Sequence, residues 1–294
     1  MITGIFLLDK AQGPTSAQAI SAVKRKLGLE KIGHAGTLDP MAGGLLVCLS
    51  GGATRVAAYA EEGQKTYSGE ILFGRATDTD DITGATLMES AVLPGESEVQ
   101  ELARKFVGAI DQVPPQYSAL KVHGQRAYDL ARQGQEVELK SRRIEVFGFS
   151  LVAVGAGRFS FTLTCSPGTY VRSLARDMGA AFGCGGCLAA LRREASWPFS
   201  CAAAKVLEDL SLNDMLDWRA LFPGVPQLML ADDYARRLAG GDQRVWFEIE
   251  KSEHYRLTLD GRARVLFGNA ERDILLGIAE NTKAGWRIAV NVGA

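Results

Sequence analysis

The chain has 294 residues, 47% of them hydrophobic and 23% charged, with a formal net charge of −1 at pH 7. This length suits one large folded domain and a small one, and no apolar run approaches the roughly 18 residues of a membrane span, so we expect no membrane partner. The five cysteines lack the even number and spacing of a disulfide framework, which favours a reducing cytoplasm as the location.

The first predicted elements are a helix and an irregular turn. The helix is capped by Thr15 or Ser16, carries apolar residues at helical spacing and ends at Gly28. The run 33–44 then places one carboxylate, Asp39, among glycines, small residues and a proline, which favour a tight turn before an apolar strand. A carboxylate on such a turn is a candidate nucleophile or base, whereas an Asp before Pro is most often only a turn former.

Three further elements are predicted before the middle of the chain. A short helix over 54–60 precedes a strand over 65–73, in which apolar residues alternate with polar ones. A second clear helix, capped by Ser97, carries apolar residues three and four positions apart up to Phe106. Strands and helices therefore alternate here without a regular βαβ rhythm.

Residues 112–134 form an unusual block that begins with two prolines and interleaves tyrosines with basic side chains. Aromatic rings stack on bases and cations bind phosphates, which is the combination that single-stranded RNA recognition uses. Basic residues outnumber acidic ones over 116–143, whereas 76–103 contain acids and no base. The block is either an RNA-binding insertion, at about residues 112–140, or a surface helical hairpin. Its aromatic and basic residues are Tyr117, Lys121, His123, Arg126, Tyr128 and Arg132.

A strand and a helix are predicted after this block. Residues 158–165 alternate cleanly between apolar and polar, and a helix then opens at 166–169 and closes at Gly183, with Arg172 and Arg176 on the side away from its apolar residues. Cys184 and Cys187 follow with zinc-like spacing, but the chain offers too few further ligands nearby, so we predict no metal.

The composition changes at residues 218–226, which indicates a domain boundary. We predict two domains, residues 1–227 and 228–294. In the first, the irregular alternation favours an α+β fold with a mixed, largely antiparallel sheet flanked by helices. In the second, a hairpin at Asp260-Gly261 and short strands predict a small β-barrel. Those predicted strands span 255–259, 265–267, 274–279 and 286–292.

Several segments, in order along the chain, carry a family resemblance. They are 7–16, with Ala11 where the family's usual proline stands, 33–44, 65–67, 74–81, 112–134, 166–174 and 191–193. Together they resemble the TruB family of tRNA pseudouridine-55 synthases over about residues 5–200. The C-terminal part is similar, with a much weaker signal, to that family's PUA-type RNA-binding domain.

The resemblance implies that one uridine in the T stem-loop of tRNA, at position 55, is isomerised to pseudouridine, with Asp39 as nucleophile or base. Because uracil is detached from C1′, turned and rejoined through C5, one carboxylate can suffice where a retaining glycosidase needs two. The resemblance further implies a fold of the pseudouridine synthase type and a stand-alone monomer. This monomer is expected to work without metal, cofactor or guide RNA.

The resemblance also assigns roles to three residues around Asp39. Tyr67 would stack against the target base, and such a stack contributes about 1–3 kcal/mol. Arg172 would pair with Asp39; at ~4 Å and an effective dielectric near 20 the gross attraction is about 4 kcal/mol. Asp81, within the acidic stretch, would share this ionic network.

Three more residues are expected at the pocket. Leu191 and Tyr170 would form its walls, although both residues could equally be ordinary core. His34 would wedge into the T loop and help to flip the nucleotide out, because a stacked or paired base cannot be reached in place. Two rival functions stay open from the sequence alone: a non-catalytic RNA-binding or tRNA-folding protein, and a hydrolase that cleaves nucleosides and releases the base.

Overall fold

The computed structural model describes residues 2–118, 120–122, 125–126 and 138–292. The predicted RNA-binding insertion therefore lies partly outside the described residues. His123, Tyr128 and Arg132 lie outside the described residues, and so do the side chains of Lys121 and Arg126. Within the described part, no helix is both long and apolar enough to cross a membrane.

The strands and helices are numbered here in chain order. The first strands are β1 (Gly4–Lys10), β2 (Ile32–Ala35), β3 (Ala42–Ser50), β4 (Lys65–Phe73), β5 (Arg75–Thr77), β6 (Thr86–Glu89), β7 (Gly108–Gln112), β8 (Lys121–Val122) and β9 (Gln125–Arg126). The later strands are β10 (Arg142–Gly155), β11 (Arg158–Cys165), β12 (Gly186–Ser196), β13 (Phe199–Ser200), β14 (Gln227–Leu230), β15 (Arg264–Asn269), β16 (Ile274–Thr282) and β17 (Gly285–Asn291). The α-helices are α1 (Ser16–Leu27), α2 (Ala57–Glu61), α3 (Glu96–Lys105), α4 (Val171–Ala181), α5 (Asp232–Ala239), α6 (Val245–Lys251) and α7 (Glu253–Leu259).

A nine-stranded sheet organises the larger part of the molecule. Its main path runs β1–β3–β12–β4–β11–β10–β7, with β2 beside β3 and β13 beside β12. β3 and β12 run parallel, and the other neighbouring strands are antiparallel. At the parallel pair the backbones approach closely: Gly44 has φ +96°, and a Cβ there would lie 2.4 Å from the carbonyl oxygen of Arg193. The predicted α+β class with a mixed, largely antiparallel sheet is confirmed.

Helices α3 and α4 pack against this sheet and bury a large apolar core. The predicted elements around them form, with shifts at three helix starts. The helix predicted over 54–60 is a 3-10 helix over Gly51–Val56 followed by α2, and the helix predicted to open at 166–169 begins at Val171. α1 has Thr15 as its N-cap and ends at Gly28 in the left-handed conformation, as expected. The predicted Ser97 cap of α3 is wrong, because Gly95 is the N-cap and its N–H donates to Glu98 Oε2 (2.7 Å).

The C-terminal part is an open four-stranded sheet in the order β14–β15–β16–β17, with helices α5, α6 and α7 inserted after β14. Within residues 227–292 no pairing joins β14 to β17, so the closed barrel is not found. The predicted strand over 255–259 is wrong, since these residues belong to α7, and Asp260-Gly261 follows that helix instead of forming a hairpin. The three helices bury apolar residues three or four positions apart, which is a helical spacing.

The two parts of the chain share one hydrophobic cluster. Leu275 and Ile278 of β16 belong to the same buried group as Val56, Trp218 and Leu221 from the larger part. Polar contacts lie at the same junction, where the Tyr59 hydroxyl donates to Glu280 (3.1 Å) and Arg55 donates to the carbonyl oxygen of Asn291 (2.8 Å). The C-terminal sheet is therefore packed on the larger part and is not joined to it by a linker alone.

Candidate active site

Asp39 lies on the turn between β2 and β3. Gly36, with φ +78°, starts the turn, and the buried Leu38 holds it. Ser16, in the first turn of α1, accepts from the Leu38 N–H (2.9 Å) and donates to the Leu38 carbonyl oxygen (3.0 Å). Because Leu38 is anchored on both sides, the next residue is held in place, and the Asp39 side chain stays one-third exposed.

Helix α4 brings Arg172 against this carboxylate. Arg172 Nη2 donates to Asp39 Oδ1 (3.2 Å), and Nε lies 2.9 Å from Oδ2. The guanidinium also donates to the carbonyl oxygens of Thr79 and Tyr117, each at 2.9 Å. Although the sequence places Arg172 away from the apolar side of the helix, it is buried beneath the chain segments that supply these oxygens. A guanidinium held in this way fixes the orientation of the Asp39 carboxylate through charge-assisted contacts.

Asp81 lies on the other side of the same guanidinium. Its Oδ2 is 3.9 Å from Arg172 Nη1, and its Oδ1 accepts from the Thr79 hydroxyl (2.9 Å) and the Thr83 N–H (2.9 Å). Asp81 is buried, so two carboxylates share one desolvated cation. Burying charges is costly unless each is paired and hydrogen-bonded, a condition that this arrangement meets.

A cavity of about 320 Å³ opens above Asp39 and Arg172. Its walls include Tyr67, Tyr170 and Leu191, so five of the seven residues expected from the sequence meet in one place. Tyr67 and Leu191 are buried, on the neighbouring strands β4 and β12. Burial raises the pKa of the Tyr67 hydroxyl, against a smaller opposing effect of Arg193, so the phenol is neutral at physiological pH.

His34 is not among the residues that line this cavity. It lies on β2, opposite Cys48 of β3, and its Nδ1 is buried without a hydrogen-bond partner among the described residues. Burial lowers the pKa of its imidazole, and the nearby Arg193 lowers it further, which favours the neutral ring. Its expected role at the T loop stays a prediction.

Several residues of the cavity wall were not singled out from the sequence, among them Arg193, Glu61 and Lys65. Arg193 is 1% exposed and donates to the carbonyl oxygens of Leu45 (2.7 Å) and Gly36 (3.0 Å), and Glu61 accepts from the Gly36 N–H (3.0 Å). Lys65 lines the cavity beside them. The alternation of a strand could have placed Lys65 with Tyr67 and Arg193 with Leu191, whereas nothing in the sequence marks Glu61.

Lys65 predicts a measurable pH dependence of stability. Burial, with a further effect of Arg193, lowers its pKa from 10.5 to about 8. Between these two values the folded protein binds fewer protons than the unfolded chain, so the cost of burying Lys65 falls as the pH rises. We expect the free energy of unfolding of the wild type, relative to Lys65→Met, to increase from pH 8 to 10.5 in urea titrations. Lys24→Met, on an exposed position of α1, is the matched control for the loss of a lysine. A Lys65 curve that is flat over this range would contradict the prediction.

The fold resembles that of chains in two solved complexes. A chain in a structure described as an H/ACA RNP bound to a substrate RNA containing 2′-deoxyuridine superimposes with a TM-score of 0.68, covering 98% of this chain and 84% of that chain at 20% identity. A chain of a Cbf5-Nop10-Gar1 complex gives the same TM-score at 22% identity, over the same shares of the two chains. At these identities the likeness shows a common fold, and the two-part architecture is included in it.

Sequence comparisons identify the family. The model of the N-terminal domain of TruB family pseudouridylate synthases matches residues 24–171. The tRNA pseudouridine synthase B of Rhizobium meliloti (strain 1021) is 40% identical over 256 residues, which are 82% of this chain and 82% of that protein. The protein of that name from Clostridium kluyveri is 36% identical over 274 residues, covering 90% of this chain and 94% of that protein. The class is therefore an isomerase that forms pseudouridine from uridine. The chain belongs to the TruB family of pseudouridylate synthases.

Proposed function

We propose that this enzyme converts the uridine at position 55, in the T stem-loop of tRNA, to pseudouridine, with Asp39 as the reacting carboxylate. The observation that carries the proposal is the Asp39–Arg172 ion pair at one end of a cavity of about 320 Å³. Cavities of this size hold small organic groups such as a nucleobase. The tRNA substrate is supported by the names of the relatives.

The proposed reaction exchanges one bond for another and needs no external reagent. The N1–C1′ bond breaks, uracil turns within the cavity, and a C5–C1′ bond forms, while C5 loses a proton and N1 gains one. Asp39 either adds to C1′ or removes a sugar proton to give a glycal-like intermediate. In both routes Asp39 acts as a carboxylate, and contact with the buried Arg172 guanidinium holds it in position.

A target base reaches this cavity only when its nucleotide is flipped out of the RNA stack, because the reacting atoms are otherwise covered by neighbouring bases. We propose that Tyr67 stacks on the flipped base, with Tyr170 and Leu191 as the remaining walls. The burial of Tyr67 supports this role, since a fixed ring loses little further freedom on binding.

Tyr67 gives a direct test of the stacking role. Tyr67→Phe keeps the aromatic ring and should lower kcat/KM less than about threefold, because only the hydroxyl is lost. Tyr67→Leu removes the ring and should lower kcat/KM by about 5- to 150-fold, the equivalent of about 1–3 kcal/mol of stacking. Both are measured by steady-state kinetics on a T stem-loop RNA, with thermal unfolding as the folding control. Equal effects of the two substitutions would exclude a stacking role.

The cavity contains the two carboxylates of Asp39 and Glu61, whereas the sequence indicated only Asp39. Glu61 also lines the wall, which favours a hydrolase as the second candidate, since retaining glycosidases use two carboxyl groups. Glu61 accepts from the Gly36 N–H and so holds the turn that carries Asp39, and this supports a structural role for it. The two candidates differ in product, because a hydrolase releases free uracil.

The C-terminal domain, residues 228–294, is proposed to extend the tRNA-binding surface as a PUA-like unit. This proposal is supported by the hydrophobic core that the domain forms between the β14–β17 sheet and helices α5, α6 and α7. We also propose that the enzyme acts as a monomer without guide RNA.

The experiment that tests the proposed function uses purified protein and tRNA labelled with [5-³H]uridine. Release of tritium from position 55, with no added RNA or cofactor, is the expected result, and tRNA with cytidine at position 55 is the control. Free uracil would indicate the hydrolase. Binding without tritium release would indicate the RNA-binding or tRNA-folding protein, and release from another position would overturn the T-arm assignment.

A further inference from the structure

Three arginines line the cavity, and two of them are already engaged. Arg172 contacts the carboxylates of Asp39 and Asp81, and Arg193 donates to two backbone oxygens deep in the protein. Arg142 differs from Arg172, because no carboxylate of the described residues lies within ion-pair distance of its guanidinium, and it differs from the fully buried Arg193, because its side chain is partly exposed. An unpaired cation in the wall of a cavity attracts an anionic ligand.

Arg142 is held in place without being neutralised. It begins β10, its guanidinium carbon lies 4.4 Å from the centre of the Tyr170 ring, and Nη2 donates to the carbonyl oxygen of Gly168. Its Nε is buried and has no hydrogen-bond partner among the residues described. A guanidinium has five N–H donors, so this one retains capacity for an oxygen ligand.

Two further features of the same cavity favour an anion. Ser118 is 4% exposed, lines the cavity, and its hydroxyl has no partner within the described part of the chain. Residues 170–172, where α4 begins, also line the cavity, and the N-cap residue Tyr170 makes no side-chain capping bond. The N-terminus of an 11-residue helix carries a partial positive charge and stabilises nearby anions. A buried hydroxyl without a partner is costly, which indicates a ligand atom that completes it.

We propose that Arg142, Ser118 and the N-terminus of α4 form a binding site for a phosphodiester group of the RNA, next to the nucleotide that occupies the cavity. This inference rests on the proposed function, since an RNA substrate supplies the phosphate. Arginine forks match phosphate oxygens, and the Tyr170 ring limits the freedom of this guanidinium before binding. By binding the RNA backbone, the site therefore positions the ribose over Asp39, and it does not distinguish between bases.

The test combines a protein change with a change in the RNA. T stem-loop RNAs carry one neutral methylphosphonate linkage, placed either 5′ or 3′ to the target uridine. They are assayed with the wild type, Arg142→Gln, Arg142→Lys and the matched control Arg143→Gln. Arg143 is the exposed neighbour that pairs with Asp111 (3.3 Å) and does not line the cavity. Thermal unfolding of each variant reports folding.

We expect Arg142→Gln to lower kcat/KM by roughly 10- to 100-fold, the range for one lost charge-assisted hydrogen bond, and Arg142→Lys to recover part of it. Arg143→Gln should change kcat/KM less than threefold. One of the two methylphosphonate linkages should lower kcat/KM of the wild type by a similar factor. The same linkage should not lower kcat/KM of Arg142→Gln below its value on unmodified RNA. Such non-additivity is not produced by a merely structural role.

Three outcomes would overturn the inference. One is full activity of Arg142→Gln on unmodified RNA. Another is that both methylphosphonates impair Arg142→Gln as strongly as the wild type, whether or not that variant is less stable. The third, no conversion of unmodified RNA by the wild type, would overturn the proposed function itself and is therefore distinguishable from the first two.

Discussion

Replacing Asp39 by Asn is expected to lower the rate of pseudouridine formation by at least about 10⁴-fold, the size of effect seen when a catalytic carboxylate or nucleophile is removed. The amide has nearly the same shape and can still accept from Arg172, so the turn should keep its conformation. It can neither add to C1′ nor remove a proton. Single-turnover tritium release measures the chemical step, and retention of labelled tRNA on filters measures binding, which should stay close to that of the wild type.

The matched control is Asp177→Asn. Asp177 lies on α4, as Arg172 does, but its carboxylate pairs with Arg176 and does not line the cavity. We expect less than a threefold change in rate for this variant. Substantial turnover by Asp39→Asn, above a hundredth of the wild-type rate, would remove Asp39 from the role of reacting group.

The second large effect is expected for Arg172→Met, which should lower both stability and rate. The substitution leaves the buried Asp81 without its cation and two carbonyl oxygens, of Thr79 and Tyr117, without a donor. Breaking a buried ion pair from one side costs about 3–5 kcal/mol, so the free energy of unfolding in urea should fall by about that amount. The rate of tritium release should fall with it, because Asp39 loses the group that fixes it.

The control for this prediction lies one helical turn further along α4. Arg176 pairs with Asp80 (3.0 Å) and Asp177 (2.9 Å), but its side chain is 30% exposed, so Arg176→Met should cost clearly less free energy of unfolding. Arg172→Lys keeps the charge but loses the fork that reaches four partners at once, and an intermediate loss is expected. Equal stability of the Arg172→Met and Arg176→Met variants would contradict the central position of Arg172.

The sequence predicts the parts of this site that depend on local pattern. Asp39 stands out through its glycine-rich turn, and the alternation over 65–73 and 158–165 identifies β4 and β11. The positions of Arg193 and Glu61 could not be predicted in this way. Both contact Gly36 only because β12 pairs in parallel with β3 and because α2 packs beside β2, and these are contacts between distant segments.

In the C-terminal part, the incorrect prediction came from a local pattern and not from contacts between distant segments. Its last three strands were predicted from alternation and are confirmed, but helices α5, α6 and α7 have only 7 or 8 residues each. Over two turns, apolar residues three apart are hard to distinguish from those two apart, and 255–259 was therefore interpreted as a strand. With α7 in place of the predicted strand, the sheet described over residues 227–292 is open, and the predicted closed barrel is not found.

The hydrophobic cluster shared by the two parts of the chain has a mechanical consequence. A protein cut at residue 227 would expose Trp218 and Leu221 to water, so it would lose folding free energy together with any RNA-binding surface. In the intact chain, the same packing keeps the C-terminal sheet at a fixed distance from Asp39. For the proposed contact of tRNA with the C-terminal domain, this packing sets the distance to Asp39, so a tRNA would be selected by its dimensions.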